Sequence, residues 1–187
     1  MPPRRRLPPP VHQSQSPRLW EIGEYRFEDM CAALLDAQPD IVSADGFGNR
    51  GQKQLGADIV GDLKEGGLIV AQCKCYETFQ PADIDKAAKQ FLEHLDYWKE
   101  LDTRRFALMV TAPMTDRRRQ EKRLHWKAEF KNHGIAFELW GQDVIANRLG
   151  PHPTIVSRYI HSGWVEPCMR ADLFQGPHDD VRQGLAP

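Results

Sequence analysis

Between residues 25 and 38, Phe27, Met30, Cys31, Leu34 and Leu35 recur at steps of three and four, the spacing of a helix that buries one face. Pro39 closes it, because proline disfavours helical backbone in the residue before it. Residues 41–44 read as a short strand, and the glycine-rich stretch 45–56 as a loop. Residues 57–61 and 68–76 are apolar runs on either side of Asp62, Lys64, Glu65, Gly66 and Gly67, and they predict a β-hairpin. A second helix opens at Pro81 with Asp83 and Asp85 near its positive end, and its buried stripe runs through Ile84, Ala87, Ala88, Phe91, Leu92 and Leu95. A strand over 106–111, a helix over 115–133 closed by Gly134, a strand over 135–139 and a short helix over 142–149 follow. The order αβββαβ, then a further strand and a short C-terminal helix, predicts an α/β fold with a mixed central sheet flanked by helices.

Composition narrows the class. The 187 residues are 41% hydrophobic, enough for one buried core. Lys and Arg total 25 against 26 Asp and Glu, a net charge of −1, which excludes a protein that coats nucleic acid by bulk charge. No apolar run approaches the roughly 20 residues of a membrane span, and Met1-Pro-Pro-Arg-Arg-Arg lacks the apolar stretch of a secretion signal. The expectation is a cytoplasmic protein that makes no membrane contact. Cys31, Cys73, Cys75 and Cys168 show no metal-ligand pair spacing and read as free thiols. Residues 1–19 are expected to form a disordered Pro/Arg-rich arm, 20–165 the folded domain, and 166–187 a flexible tail or linker.

The unusual strand is Val70-Ala71-Gln72-Cys73-Lys74-Cys75-Tyr76. Side chains alternate along a strand, so Gln72, Lys74 and Tyr76 share one face while Cys73 and Cys75 share the other. An amide beside an ammonium on a buried strand needs a partner, and Asp58 on the neighbouring strand is the obvious one. Glu28 borders the buried stripe of the first helix, whereas Asp29 points to solvent; Glu24, one turn earlier, is the alternative. Such a set suits metal-assisted phosphodiester hydrolysis. Mg²⁺ takes oxygen ligands and needs few carboxylates, so Asp58, Gln72 Oε1 and the Cys73 backbone carbonyl form a partial shell; Glu28 completes it through water or holds a second ion. Lys74 can orient or deprotonate the attacking water, or stabilise charge on the transition state. The plain competitor is a structural Asp58–Lys74 ion pair, with Gln72 capping a backbone group.

These residues resemble the PD-(D/E)xK nuclease superfamily, and within it the Mrr-like, type IV restriction endonuclease branch. The resemblance rests on Phe27-Glu28, Gly56-Ala57-Asp58 and Gln72-Cys73-Lys74 in that order, and covers about residues 25–149. Ala57 stands where the family name has proline, and Gln72 where it has an acid; the Gln form is common in the Mrr-like branch. The resemblance implies a restriction-endonuclease-like core and a Mg²⁺- or Mn²⁺-dependent DNA endonuclease that acts in defence against foreign DNA. Its catalytic residues would be Glu28, Asp58, Gln72 and Lys74. Cutting both strands of a duplex with one site per chain favours a homodimer, and further subunits of a defence system fit the same picture. The alternatives are a catalytically weak DNA-binding or sensor module of this fold, and a structural interaction domain.

DNA contact is expected at two places. Arg119, Arg123, Lys127 and Lys131 form an i,i+4 ridge along the third helix, and Arg50 and Lys53 lie in the loop before Asp58. Gly46-Phe47-Gly48-Asn49-Arg50-Gly51 matches G-x-G-x-x-G but leads into a strand, not a helix, so a dinucleotide site is set aside. Trp98, Trp126 and Trp140 read as packing residues, and His94, His125 and His133 have no partner spacing.

Overall fold

The computed structural model describes residues 17–48 and 55–173. Five strands form one sheet in the order β1-β2-β3-β4-β5: β1 (Ile41–Gly46), β2 (Ile59–Leu63), β3 (Leu68–Lys74), β4 (Thr103–Val110) and β5 (Ala136–Trp140). β1, β2 and β3 are antiparallel neighbours, while β3, β4 and β5 run parallel. The tight connection of β2 and β3 through Gly66 and Gly67 permits a hairpin, whereas the parallel pairs need crossovers. Helices supply them. α2 (Pro81–Leu92) and α3 (Leu95–Glu100) lie between β3 and β4, and α4 (Arg117–Asn132) lies between β4 and β5.

Alternation along the strands divides the interior in two. Ile69, Ala71, Cys73, Ala107 and Met109 face α1 (Glu24–Asp36), α5 (Gln142–Leu149) and the C-terminal segment. Val70, Phe106, Leu108 and Val110 face α2, α3 and α4, where Phe91, Phe106, Phe130 and Phe137 pack with ring centroids as close as 4.2 Å. Trp98, Trp126 and Trp140 are all buried, Trp98 and Trp126 in this aromatic layer and Trp140 on the α1 side.

Several boundaries differ from the sequence reading. The second helix breaks after Leu92, so Leu95 opens α3 instead of ending α2's stripe. Its start agrees: Pro81 is the first helical residue, and the N-cap Gln80 donates its N–H to Asp83 Oδ2 at 2.7 Å. Folded structure also reaches past 20–165 at both ends. Pro17 and Leu19 are buried, Leu19 in the short 3-10 helix Leu19–Ile22, so the segment assigned to an arm begins the core. Beyond α5 come α6 (Pro153–Ile155), a π-helical turn Val156–Ile160, a 3-10 turn Ser162–Trp164 and α7 (Val165–Leu173). α7 buries Cys168 where a flexible tail is expected. Ile160, Trp164 and Cys168 supply an apolar face too sparse to read as a helix from spacing alone. Among the described residues, no helix is long and apolar enough to cross a membrane.

Candidate active site

The site lies where β2 begins and β3 ends. Asp58 precedes β2 by one residue; its N–H donates to the Ala71 carbonyl at 2.8 Å and its carbonyl accepts from Phe47 N–H at 2.8 Å. Its approach is fixed from behind. The Leu55 carbonyl accepts from Trp98 Nε1 at 3.0 Å, and Leu55 and Gly56 both take left-handed backbone. Gly56 (φ 77°) is pressed on α2: a Cβ there would lie 3.0 Å from the Gln90 carbonyl oxygen and from Phe91 Cα. Only glycine meets both demands, which gives the Gly-x-Asp pattern a physical reason.

Asp58 Oδ2 accepts from the Cys73 N–H at 2.7 Å, a charge-assisted bond that places the carboxylate beside β3. In an extended strand the N–H and C=O of one residue point to the same edge. The Lys74 carbonyl accepts from Thr111 N–H at 3.1 Å on the β4 side, so the Cys73 carbonyl is aimed at the β2 side, where Asp58 lies. The Cys73 thiol turns the other way, into the core beneath α1, where contact with Cys31 and burial hold it un-ionised, well above its ordinary pKa. Burial, with the charge of Glu24 behind it, likewise pushes Cys75 up to about 11. Neither thiol is a nucleophile or ready metal ligand in this state.

Gln72 is 2% exposed. Its Nε2 donates to Gln90 Oε1 at 3.1 Å, while its own Oε1 is buried with no hydrogen-bond partner. A buried carbonyl left so costs about 1–3 kcal/mol and calls for an explanation, a bound ion or water among them; Thr103 Oγ1 and Gln142 Oε1 share the condition away from this site. Lys74, next on the same face, lines a cleft of about 850 Å³ between the end of β3 and α2, together with Tyr76, Phe79, Lys86, Lys89 and Gln90. It belongs to none of the ion pairs among the described residues. The structural Asp58–Lys74 pair is therefore not formed, although the lysine's charge still acts on Asp58.

From α1, Glu28 is half-buried and Asp29 exposed, as the spacing predicts. The charge of Glu28 is felt at Cys73 and Cys75, that of Glu24 at Asp58 and Cys75, so both acids face this end of the sheet. Among the described residues no group of three or more His, Cys, Asp or Glu could hold a metal ion. The proposed shell does not need one, since an amide oxygen and a backbone carbonyl stand beside a single anchored carboxylate. The unpartnered Gln72 Oε1 and the oxygen-only donor set fit a hard divalent cation.

The basic ridge divides. Arg119 is committed within the protein, donating to the Phe79 carbonyl at 2.6 Å and pairing with Asp116 at 2.6 Å, and Arg123 donates to Gln120 Oε1 at 2.8 Å. Lys127 and Lys131 are exposed. Arg50 and Lys53 lie outside the described residues. Sequence reasoning missed Gln90. It stands three residues after Ala87 and so borders α2's buried stripe, the same signal that singled out Glu28.

The chain is thus an α/β protein with a mixed five-stranded sheet between two helical layers, carrying a buried amide and a lysine beside an anchored carboxylate. Comparison with protein-family models, with curated proteins and with solved structures returns no match.

Proposed function

We propose that this chain is a Mg²⁺- or Mn²⁺-dependent DNA endonuclease with the restriction-endonuclease-like core of the PD-(D/E)xK superfamily, in its Mrr-like branch. The observation that carries the reading is the buried, unpartnered Gln72 Oε1 on the strand whose Cys73 N–H anchors Asp58. Asp58, Gln72 Oε1 and the Cys73 carbonyl hold the cation, with Glu28 or Glu24 completing the set from α1. A cation held there would supply Lewis-acid polarisation of the scissile phosphate and offset the charge developing on it. Lys74, which forms no ion pair among the described residues, orients the attacking water and places its positive charge beside the transition state. The exposed Lys127 and Lys131 of α4 serve as phosphate contacts. Cleavage of foreign DNA in the cytoplasm, by a homodimer that cuts both strands, is the role this chemistry suits; the defence role rests on the resemblance alone.

Incubation of plasmid DNA with the full chain tests the reading. Cleavage is expected with Mg²⁺ or Mn²⁺ and not with EDTA, and Lys74→Ala should lose about 100-fold or more in rate while melting near the wild type. Undiminished cleavage in EDTA, or none under any metal condition, overturns it.

A further inference from the structure

A primary amide is nearly symmetric in shape, so what a glutamine presents to its surroundings depends on which end its neighbour claims. Gln72 has one such neighbour among the described residues: Gln90, whose Oε1 takes the Gln72 Nε2–H and leaves Gln72 Oε1 unclaimed. The reverse orientation would present an NH₂ group where the oxygen now stands, and an NH₂ group cannot ligate a cation. Gln90 sits on the last turns of α2, and its backbone is the surface on which Gly56 rests, two residues before Asp58. One short segment of α2 therefore touches both sides of the proposed ligand set, Gln72 through a side chain and the approach to Asp58 through backbone packing.

We propose that Gln90 is a positioning residue, holding the Gln72 amide so that Oε1 faces a divalent cation; this rests on the metal-site reading above. The Gln72–Gln90 bond then acts as an outer-shell contact of the kind that orients a ligand from behind.

The test is Mn²⁺ affinity of the full chain, followed by the paramagnetic resonance of free Mn²⁺, with melting temperature in EDTA as the control for folding. Gln90→Met removes the acceptor without adding charge and should weaken Mn²⁺ binding by about tenfold or more. Gln90→Glu, which can only accept, should restore it. Gln72→Glu presents an oxygen in either orientation, so adding Gln90→Met to it should cost little further affinity. Because Gln90 is exposed, each Gln90 substitution should melt close to its own parent in EDTA, wild type for the single variants and Gln72→Glu for the double. Unchanged affinity in Gln90→Met, equal loss in Gln90→Met and Gln90→Glu, or the same loss persisting in the Gln72→Glu background overturns the positioning role and leaves a packing contact. A wild type that binds no Mn²⁺ overturns the metal site itself, and the positioning role with it.

Discussion

Asp58 lives under opposed demands. Burial raises its carboxyl from its ordinary value, the Cys73 N–H and Lys74 pull the other way, and Glu24 adds to the push of burial. The sign follows from linkage. A carboxyl with a raised folded-state pKa binds its proton more tightly folded than unfolded, so its contribution to stability is greatest at low pH and is lost as pH rises through the folded value. In EDTA, Asp58→Asn should therefore melt at or above wild type at neutral pH, since Asn Oδ1 still accepts the Cys73 N–H. The gap should close as the pH falls to about 4, the ordinary carboxylate range. Asp58→Ala strands that N–H and should cost about 1–3 kcal/mol. Thermal melts against pH check both; a gap that widens in acid would show that the ionised carboxylate stabilises the fold. Spacing along the chain places Asp58 next to the Gln-x-Lys strand, but the Leu55-Gly56 turn that leads into it is held by α2 and Trp98, which arrive from elsewhere.

α4 shows how a periodic pattern can be correct and its meaning divided. Arg119, Arg123, Lys127 and Lys131 do lie at i,i+4 intervals on one helix. Arg119 is spent on the Phe79 carbonyl, 40 residues away in the chain, and on the N-cap Asp116, whose side chain also accepts from Arg119 N–H. Arg119→Gln should thus lower stability by about 1 kcal/mol and leave the salt dependence of DNA binding unchanged. Lys127→Gln with Lys131→Gln should do the reverse, flattening the slope of log affinity against log salt by about 0.9 for each phosphate contact removed. A flattened slope with Arg119→Gln at unchanged melting temperature would return that residue to the phosphate ridge.

The sheet is tied together by a network that begins at the end opposite the site. Arg105, near the start of β4, pairs with Glu138 on β5 at 2.8 Å and with Asp40 just before β1. Glu138 also accepts from Trp140 Nε1 at 2.8 Å, and the Arg148 guanidinium lies 4.0 Å from the centre of the Trp140 ring while bonding Gln38 at the end of α1. This network joins β4, β5, α5 and the exit of α1 without touching Asp58, Gln72 or Lys74. Arg105→Met should cost roughly 1–2 kcal/mol, moderated by the exposure of Asp40, and leave Mn²⁺ affinity and cleavage per folded molecule as in wild type. Calorimetry and metal titration on the same sample check it. Loss of metal affinity in a folded variant would show that the two ends of the sheet are coupled.

What could be read from the chain was local. The three- and four-residue spacing of Phe27 to Leu35, the glycine pair between two apolar runs and the alternation of Gln72, Cys73 and Lys74 each depend only on backbone geometry over a few residues, which is why α1, the hairpin and the two faces of β3 follow from them. The mixed sheet follows too, because strands separated by helices pair in parallel and strands separated by a tight turn do not. Contacts between distant segments decided the rest. Leu19, Trp164 and Cys168 are core residues only because distant segments join one cluster, Leu19 from before α1 and Cys168 from α7, which packs on α5, and a helix break at Glu93 and His94 lets Trp98 reach the Leu55 carbonyl. The orientation of Gln72, the absence of an Asp58–Lys74 pair and the commitment of Arg119 to Phe79 are likewise set by partners 15 to 40 residues away. Hydrogen bonding and burial are satisfied in three dimensions, and a one-dimensional pattern records which face a side chain takes but not what waits there.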